Sequence, residues 1–243
     1  MEQSTAIDRA LDVLFHLHDQ SEALGVSQIG RALSMPKSSA HRMLQALGRR
    51  GLVEQDASGR YRTGVGLLWL ARRVLDREPL VVLGHDVLEA TVAALDETCF
   101  LVAARGGRLL VLDKAEGSGL LRASPQVGAE VPSGASAVGK LYRALAPAQL
   151  EDRDDPEPFT AATLSGHCLQ ESVEQARRQG YAVNRQEWIE GLSVVAAPVV
   201  VDGALEGAVC AAMTSARLQA LGEVEVAERM MAAARDIVMR RKL

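Results

Sequence analysis

The segment from Val26 to Leu44 reads as two short helices joined by a tight turn, the second carrying hydrogen-bond donors on its outer side. Ser27 can accept a hydrogen bond from an amide two or three residues on, and Ile29, Ala32 and Leu33 then recur at helical spacing, so a short helix is expected to start there. Ser34-Met35-Pro36 ends it. Proline fixes its φ and lacks an amide N–H, which suits the first helical position, with Ser34 or Met35 as the cap before it. The second helix is therefore expected to start near Pro36. Its apolar residues Ala40, Met43, Leu44 and Leu47 form one stripe, leaving Lys37, Ser38, Ser39, His41, Arg42 and Gln45 on the other faces. Such groups suit groove edges and phosphates, so a helix-turn-helix directed at duplex DNA is the first expectation. An ordinary soluble helix with a charged outer face would show the same local pattern, and the flanks decide between the two.

Before the motif, Ile7, Ala10, Leu11, Leu14 and Leu17 predict an amphipathic helix. After it, Gly51–Glu54 and Arg60–Thr63 predict two strands around an Asp56-Ala57-Ser58-Gly59 turn. Three helices and a hairpin make a winged helix-turn-helix over residues 1–65. Arg60 and Arg62, two apart on a strand, share one face of the hairpin and can reach backbone phosphates or the minor groove. The residues expected to meet DNA are Ser27, Lys37, Ser38, Ser39, His41, Arg42, Arg60 and Arg62.

The charge distribution agrees once it is resolved along the chain. The net charge is -4, which would ordinarily argue against nucleic acid. Yet residues 27–63 carry seven basic side chains against Glu54 and Asp56, whereas residues 76–243 carry 17 basic and 24 acidic ones. A positive head gives salt-sensitive phosphate affinity, and the acidic remainder restrains nonspecific binding.

The remainder needs a separate role. A chain of 243 residues accommodates two domains of roughly 75 and 165 residues. Cys99, Cys168 and Cys210 are widely spaced, with no CxxC pair, and are expected to be small buried apolar residues. No basic-plus-apolar leader precedes the first helix and no apolar run reaches the ~20 residues of a membrane span, so a reduced, cytoplasmic protein without membrane contact is expected. Leu67, Leu68, Leu70, Ala71, Val74 and Leu75 predict a helix from about Gly66 to Arg77, ended by Pro79, in a linker over residues 66–78. Its apolar surface is broad enough to need a neighbour, either its own chain or the same helix of a second subunit.

Residues 79–243 mix helices and strands. Leu83, Val87, Leu88, Thr91 and Leu95 predict a long helix ending near Glu97. Cys99–Ala104 and Leu109–Lys114 flank Arg105-Gly106-Gly107-Arg108, and Val194–Val201 and Ala204–Thr214 flank Asp202-Gly203, two hairpin signatures. Val224, Ala227, Met230, Met231, Ala234, Ile237 and Val238 predict a terminal helix. Hairpins imply antiparallel pairing, so an α+β domain with helices on one side of an antiparallel sheet is expected. Asp152–Pro158 reads as a solvated loop.

Ser27-x-Ile29, Met35-Pro36-Lys37-Ser38-Ser39-x-His41-Arg42-Met43-Leu44, Gly51-Leu52-Val53, Tyr61-x-Thr63-Gly64, Ala135–Lys140, Gly180-Tyr181, Glu187 and Gly191-x-x-Val194-Val195-Ala196-Ala197-Pro198-Val199 occur in order over almost the whole chain. In this the sequence resembles the IclR family of bacterial transcription regulators. The resemblance implies a winged helix, a linker helix and a GAF-like, effector-binding and oligomerising domain. It also implies a homodimer or homotetramer on palindromic promoter sites, acting as a repressor or activator. Carried over by position, the effector contacts it implies are Val131, Ala135, Ser136, Ala137, Val138, Asn184, Glu187, Val194, Ala212 and Thr214.

The segment Gly134–Gly139 has little side-chain bulk and can offer backbone amides at a helix start, where an anion is favoured. Small residues there equally permit close packing of helix on sheet, and Glu187 can serve a salt bridge as well as a ligand. Three polar groups common in the family are missing: Gly134 stands in place of a histidine, Val194 of a cysteine and Ala212 of a hydroxyl residue. Buried donors left unmatched cost ~1–3 kcal/mol each, so such a pocket suits an aromatic or medium-sized apolar acid rather than a compact keto acid. An enzyme with a DNA-binding appendage is the rival reading, but His85 and His167 lie in no HxxxH, HExxH or GxSxG pattern. A DNA binder without an effector is the other rival. No cofactor or metal is expected.

Overall fold

The computed structural model describes residues 5–119, 123–151 and 158–241. The expected loop Asp152–Pro158 lies, apart from Pro158, outside the described residues. Contacts divide the chain into residues 1–76 and 77–243.

In the first unit, α1 (Ala6–His18), α2 (Val26–Ala32) and α3 (Lys37–Gly48) precede the hairpin strands β1 (Val53–Gln55) and β2 (Tyr61–Thr63) and then α4 (Gly66–Leu75). Helix α1 starts on a capping box: the Asp8 amide donates to the Thr5 hydroxyl at 3.2 Å and the Thr5 amide donates to the Asp8 carboxylate at 2.7 Å. Its inward residues are Val13 and Leu17, with Ala10 and Leu14 half-buried. Ile7 and Leu11, expected on that face, instead join Phe15 in an exposed stripe. The helix is apolar on two sides, so periodicity alone did not choose between them.

Two further expectations shift by a residue or more. Helix α2 begins after Gly25, whose amide donates to Gln28 Oε1 at 2.8 Å, so Ser27 lies inside the first turn and not at the cap. In α3, Pro36 is itself the cap: its carbonyl accepts the amides of Ser39 and Ala40 at 2.9 and 3.0 Å. Ser34 is not a cap but takes the left-handed conformation that turns the chain between the helices, at φ 49°. Ile29, Ala40 and Leu44 join Val13, Leu17, Val53 and Tyr61 in the core. Tyr61 also pairs with Leu24, which gives the wing a third backbone connection. Gly64 and Gly66 lie so close to the Gly51 carbonyl that a Cβ would meet it at 2.3 and 2.7 Å, which fixes the entry to α4. That helix groups with the first unit, ends at Leu75 instead of Arg77 and buries none of its residues.

The second unit opens with α5 (Pro79–Leu95), Pro79 at its first position, and Asp96 in the left-handed conformation ends it. Strands β3 (Thr98–Arg105) and β4 (Arg108–Ala115) then meet at Gly106-Gly107, both with positive φ, as the hairpin signature requires. Next come β5 (Glu130–Val131), α6 (Ala137–Leu145), α7 (Gly166–Gln179), β6 (Ala182–Arg185), β7 (Leu192–Val201) and β8 (Ala204–Thr214). Asp202-Gly203, again with positive φ, forms the β7–β8 turn, and α8 (Ser215–Leu221) and α9 (Glu223–Arg241) follow. The six strands form one antiparallel sheet in the order β5-β4-β3-β8-β7-β6.

Helices cover both sides of this sheet, which corrects the one-sided expectation. Residues of α5 and α9 pack on one face, and residues of α6 and α7 on the other. The continuous apolar runs in β3, β7 and β8 follow from this, because each strand is buried on both sides. The amide of Ala104 donates to the Tyr142 hydroxyl at 2.9 Å, pinning α6 to β3. Arg177 of α7 donates twice to the Ala144 carbonyl, binding α7 to α6.

Candidate functional site

Two surfaces carry the chemistry, one in each unit. In the first, the core stripe of α3 turns the opposite face outward: Lys37, Ser38, His41, Arg42 and Gln45 are exposed, while Ser39 is half-buried. Among the described residues no ion pair engages Arg31, Lys37, Arg42, Arg49 or Arg50, so these guanidinium and ammonium groups are available to phosphate. Ser27 is exposed on α2. At the wing, the Asp56 carboxylate accepts the Ser58 hydroxyl and the amides of Ser58 and Arg60, which shapes the tip and holds that carboxyl below its usual range. Arg60 lies just before β2 and is exposed. Arg62 is the cross-strand partner of Glu54, 3.4 Å away, which partly cancels its charge.

In the second unit, the sheet face under α6 bounds a cavity of about 160 Å³. Val131, Ser136, Ala137, Val138, Asn184, Val194 and Ala212, all anticipated from the sequence, line it. The small residues at the start of α6 allow the close approach: a Cβ on Gly139 would lie 2.0 Å from the Ser133 carbonyl oxygen. Ser136 caps α6, its hydroxyl accepting the Gly139 amide at 3.0 Å. Asn184 donates to the Ala135 carbonyl and accepts the Glu187 amide at 3.2 Å, which leaves one N–H and one lone pair of its side chain.

Three anticipated residues are elsewhere. Ala135 is buried behind the wall and contributes its carbonyl to Asn184. Thr214 is exposed and caps α8, accepting the Arg217 amide at 3.2 Å. Glu187 is buried away from the lining, where it accepts the Lys140 ammonium at 2.6 Å. Lys140, also fully buried, donates to the Val183 carbonyl at 2.7 Å, and burial lowers its pKa despite the carboxylate. The sequence reading missed Phe100, Ala123, Ser124, Pro125, Trp188, Ile189 and Leu192, which complete the lining. Phe100 lies within the apolar run of β3 and was legible as a strand residue; the others come from loops and strand ends without a local pattern.

Cys99 and Cys210 are buried as expected, and burial pushes the Cys99 thiol up to about 12 and that of Cys210 well above the usual range. Cys168 is exposed on α7, contrary to expectation. Among the described residues no helix is long and apolar enough to cross a membrane, and no group of three His, Cys, Asp or Glu could hold a metal ion.

A basic winged helix-turn-helix on one compact unit and a two-faced antiparallel sheet with an apolar cavity on the other define a DNA-binding transcription regulator. The sequence matches the IclR helix-turn-helix domain over residues 6–57 and the C-terminal domain of bacterial IclR transcriptional regulators over residues 72–239. The chain belongs to the IclR family. It is 33% identical over 196 residues to the HTH-type transcriptional regulator Rv1719 of Mycobacterium tuberculosis, covering 79% of this chain and 75% of that one. Its fold is similar to that of IclR from Thermotoga maritima, with a TM-score of 0.71, 24% identity and 98% of each chain covered. An IclR homologue from Microbacterium hydrocarbonoxydans complexed with 4-hydroxybenzoate superposes with a TM-score of 0.80, at 22% identity over 98% of this chain and 99% of that one. These relatives are regulators and not enzymes, and the rival catalytic reading is set aside.

Proposed function

We propose that a small organic acid, aromatic or of similar size and apolarity, occupies the cavity and modulates operator binding. The observation that carries this is the cavity wall itself. Its lining is apolar apart from Ser124, Ser136 and Asn184, and the first turn of α6 forms part of it. A cavity of about 150 Å³ holds benzene, so this one takes a single ring. The amides of Ala137 and Val138 have no partner inside the helix by their position, and a helix start favours a carboxylate. The aromatic acid held by the Microbacterium homologue supports the same class of ligand.

Lys37, Ser38, His41 and Arg42 would enter the major groove, with Arg60 at the wing on a backbone phosphate and Ser27, Ser39 and Arg62 in supporting positions. The exposed apolar side chains of α1 and of α4 suit burial against a second copy, and a two-fold dimer reads a palindromic site. The ligand can act only through different affinities for two arrangements of the assembly. The test is gel retardation of the promoter with and without aromatic acids, for the wild type and Ala137→Trp. The variant is expected to keep DNA affinity and lose the response. A response that survives Ala137→Trp removes the cavity assignment, and a promoter affinity that no acid changes leaves an effector-independent DNA binder.

A further inference from the structure

The polar groups in the cavity wall do not all offer a ligand the same thing. Ser124, half-buried, is one of the lining residues. Its hydroxyl accepts a hydrogen bond from the Lys114 ammonium at 2.7 Å and donates one to the Glu116 carboxylate, and Lys114 and Glu116 pair with each other at 2.7 Å. Lys114, on β4, is the cross-strand partner of Phe100, another lining residue. Such partners share a face of the sheet, so the cluster stands on the cavity side.

The partners dictate the direction of both bonds. An ammonium only donates and a carboxylate only accepts, so the single proton of the Ser124 hydroxyl is committed to Glu116 and one of its two lone pairs to Lys114. One lone pair remains. Toward the cavity Ser124 is therefore an acceptor and not a donor. The opposite wall is the reverse. Asn184 retains an N–H, the Ser136 hydroxyl retains its proton after accepting the Gly139 amide, and the first amides of α6 have no partner inside the helix. Asn184 is on β6, separated from β4 by β3, β8 and β7. Donors that suit a carboxylate thus face one side of the cavity, and an acceptor that rejects one faces the other.

We infer that Ser124 is a specificity-determining contact, which accepts a hydrogen bond from a neutral donor on the effector's ring, a hydroxyl or an amino group, while the carboxylate is held at α6. Lys114 and Glu116 are positioning residues that orient this hydroxyl. Because Glu116 already matches the charge of Lys114, a second carboxylate gains no net attraction here, and a mono-acid with a donor is selected over a di-acid. A substituent that only accepts would meet lone pair with lone pair.

This inference rests on the cavity being the effector site, and the experiment keeps the two apart. Calorimetric titrations use benzoate, the 3- and 4-hydroxybenzoates, which add a donor, and the 3- and 4-cyanobenzoates, which add only an acceptor. The proteins are the wild type, Ser124→Ala and Lys114→Met/Glu116→Met, each with a thermal melt. The wild type is expected to bind one of the hydroxybenzoates about tenfold more tightly than benzoate, the worth of one hydrogen bond, and neither cyanobenzoate more tightly. Ser124→Ala is expected to lose the hydroxybenzoate advantage. In the double replacement the hydroxyl is free to turn and donate, so a cyanobenzoate is expected to gain severalfold over benzoate. A hydroxybenzoate advantage that is absent from the wild type, or that survives in Ser124→Ala, overturns the role of Ser124 and leaves the cavity reading intact. A cyanobenzoate that already gains in the wild type overturns the direction assigned to the hydroxyl, as does one that gains nothing in the folded double variant. Binding of no acid by the wild type overturns the cavity reading as well.

Discussion

Glu187 was open to two uses on sequence grounds, ligand contact or salt bridge, and the structure turns that choice into a measurable prediction. The carboxylate is 3% exposed and meets the Lys140 ammonium, 0% exposed, at 2.6 Å. At an effective dielectric of about 20 the attraction at that distance is about 6 kcal/mol, and it offsets a desolvation penalty of several kcal/mol for each ion. The intact pair therefore contributes little, whereas removing one partner strands the other. Among the described residues, the buried Lys140 keeps only the Val183 carbonyl in Glu187→Ala, and the buried Glu187 carboxylate keeps only the Arg185 amide, at 3.2 Å, in Lys140→Met. Each single replacement is expected to cost about 3–5 kcal/mol. For a domain of this size that lowers the melting temperature by roughly 6–20 °C. The double replacement Lys140→Met/Glu187→Leu is expected to recover most of the loss. Urea denaturation midpoints at constant m would measure all three. A loss below about 1 kcal/mol in Glu187→Ala, accompanied by collapse of ligand affinity, would refute the reasoning and make Glu187 a ligand group.

Four other expectations follow from the same geometry. Gly139→Ala places a Cβ against the Ser133 carbonyl and is expected to destabilise by about 1–3 kcal/mol and to weaken aromatic-acid binding, as α6 must shift; denaturation and calorimetry on the one variant check both. The hydrogen bond from His85 to Asp113, at 2.8 Å, raises the His85 pKa, so its stabilisation is complete below the unfolded value near 6.5 and is lost as pH rises through the folded one. Melts from pH 5.5 to 8.5 should show that decline, and His85→Gln should flatten it. In a thiol titration of the native protein Cys168 is expected to react at once and Cys99 and Cys210 only after unfolding; three fast thiols would contradict the burial of the latter two. Trp69, 71% exposed on α4, is expected to lie in the subunit contact, so Trp69→Asp should lower the mass in sedimentation, and an unchanged mass would place the contact elsewhere.

The fold was legible wherever one short-range rule decided the outcome. Gly106-Gly107 and Asp202-Gly203 need positive φ and fix their hairpins; Pro79 and Asp96 bracket α5. Where a helix carried two apolar stripes, as α1 does, the pattern could not say which side met the core, and Ile7 and Leu11 were misplaced. The covering of the sheet was also misjudged, although the uninterrupted runs Cys99–Ala104 and Val194–Val201 signalled burial on both faces. Helix α7 escaped because its mean composition is polar and only Val173 and Ala176 are buried.

The cavity shows why a site is harder to read than a fold. The residues matched by position included seven that line it, since β6, β7, β8 and the start of α6 each carry a short recognisable string. Glu187 and Thr214 sit in strings of the same kind yet serve a buried ion pair and a helix cap, because direction along the chain does not reveal which way a side chain finally points. The sheet shares a single apolar surface among its strands, so the polarity of a ligand's surroundings belongs to facing strands together: Asn184, Val194 and Ala212 are successive cross-strand partners, and all three line the cavity.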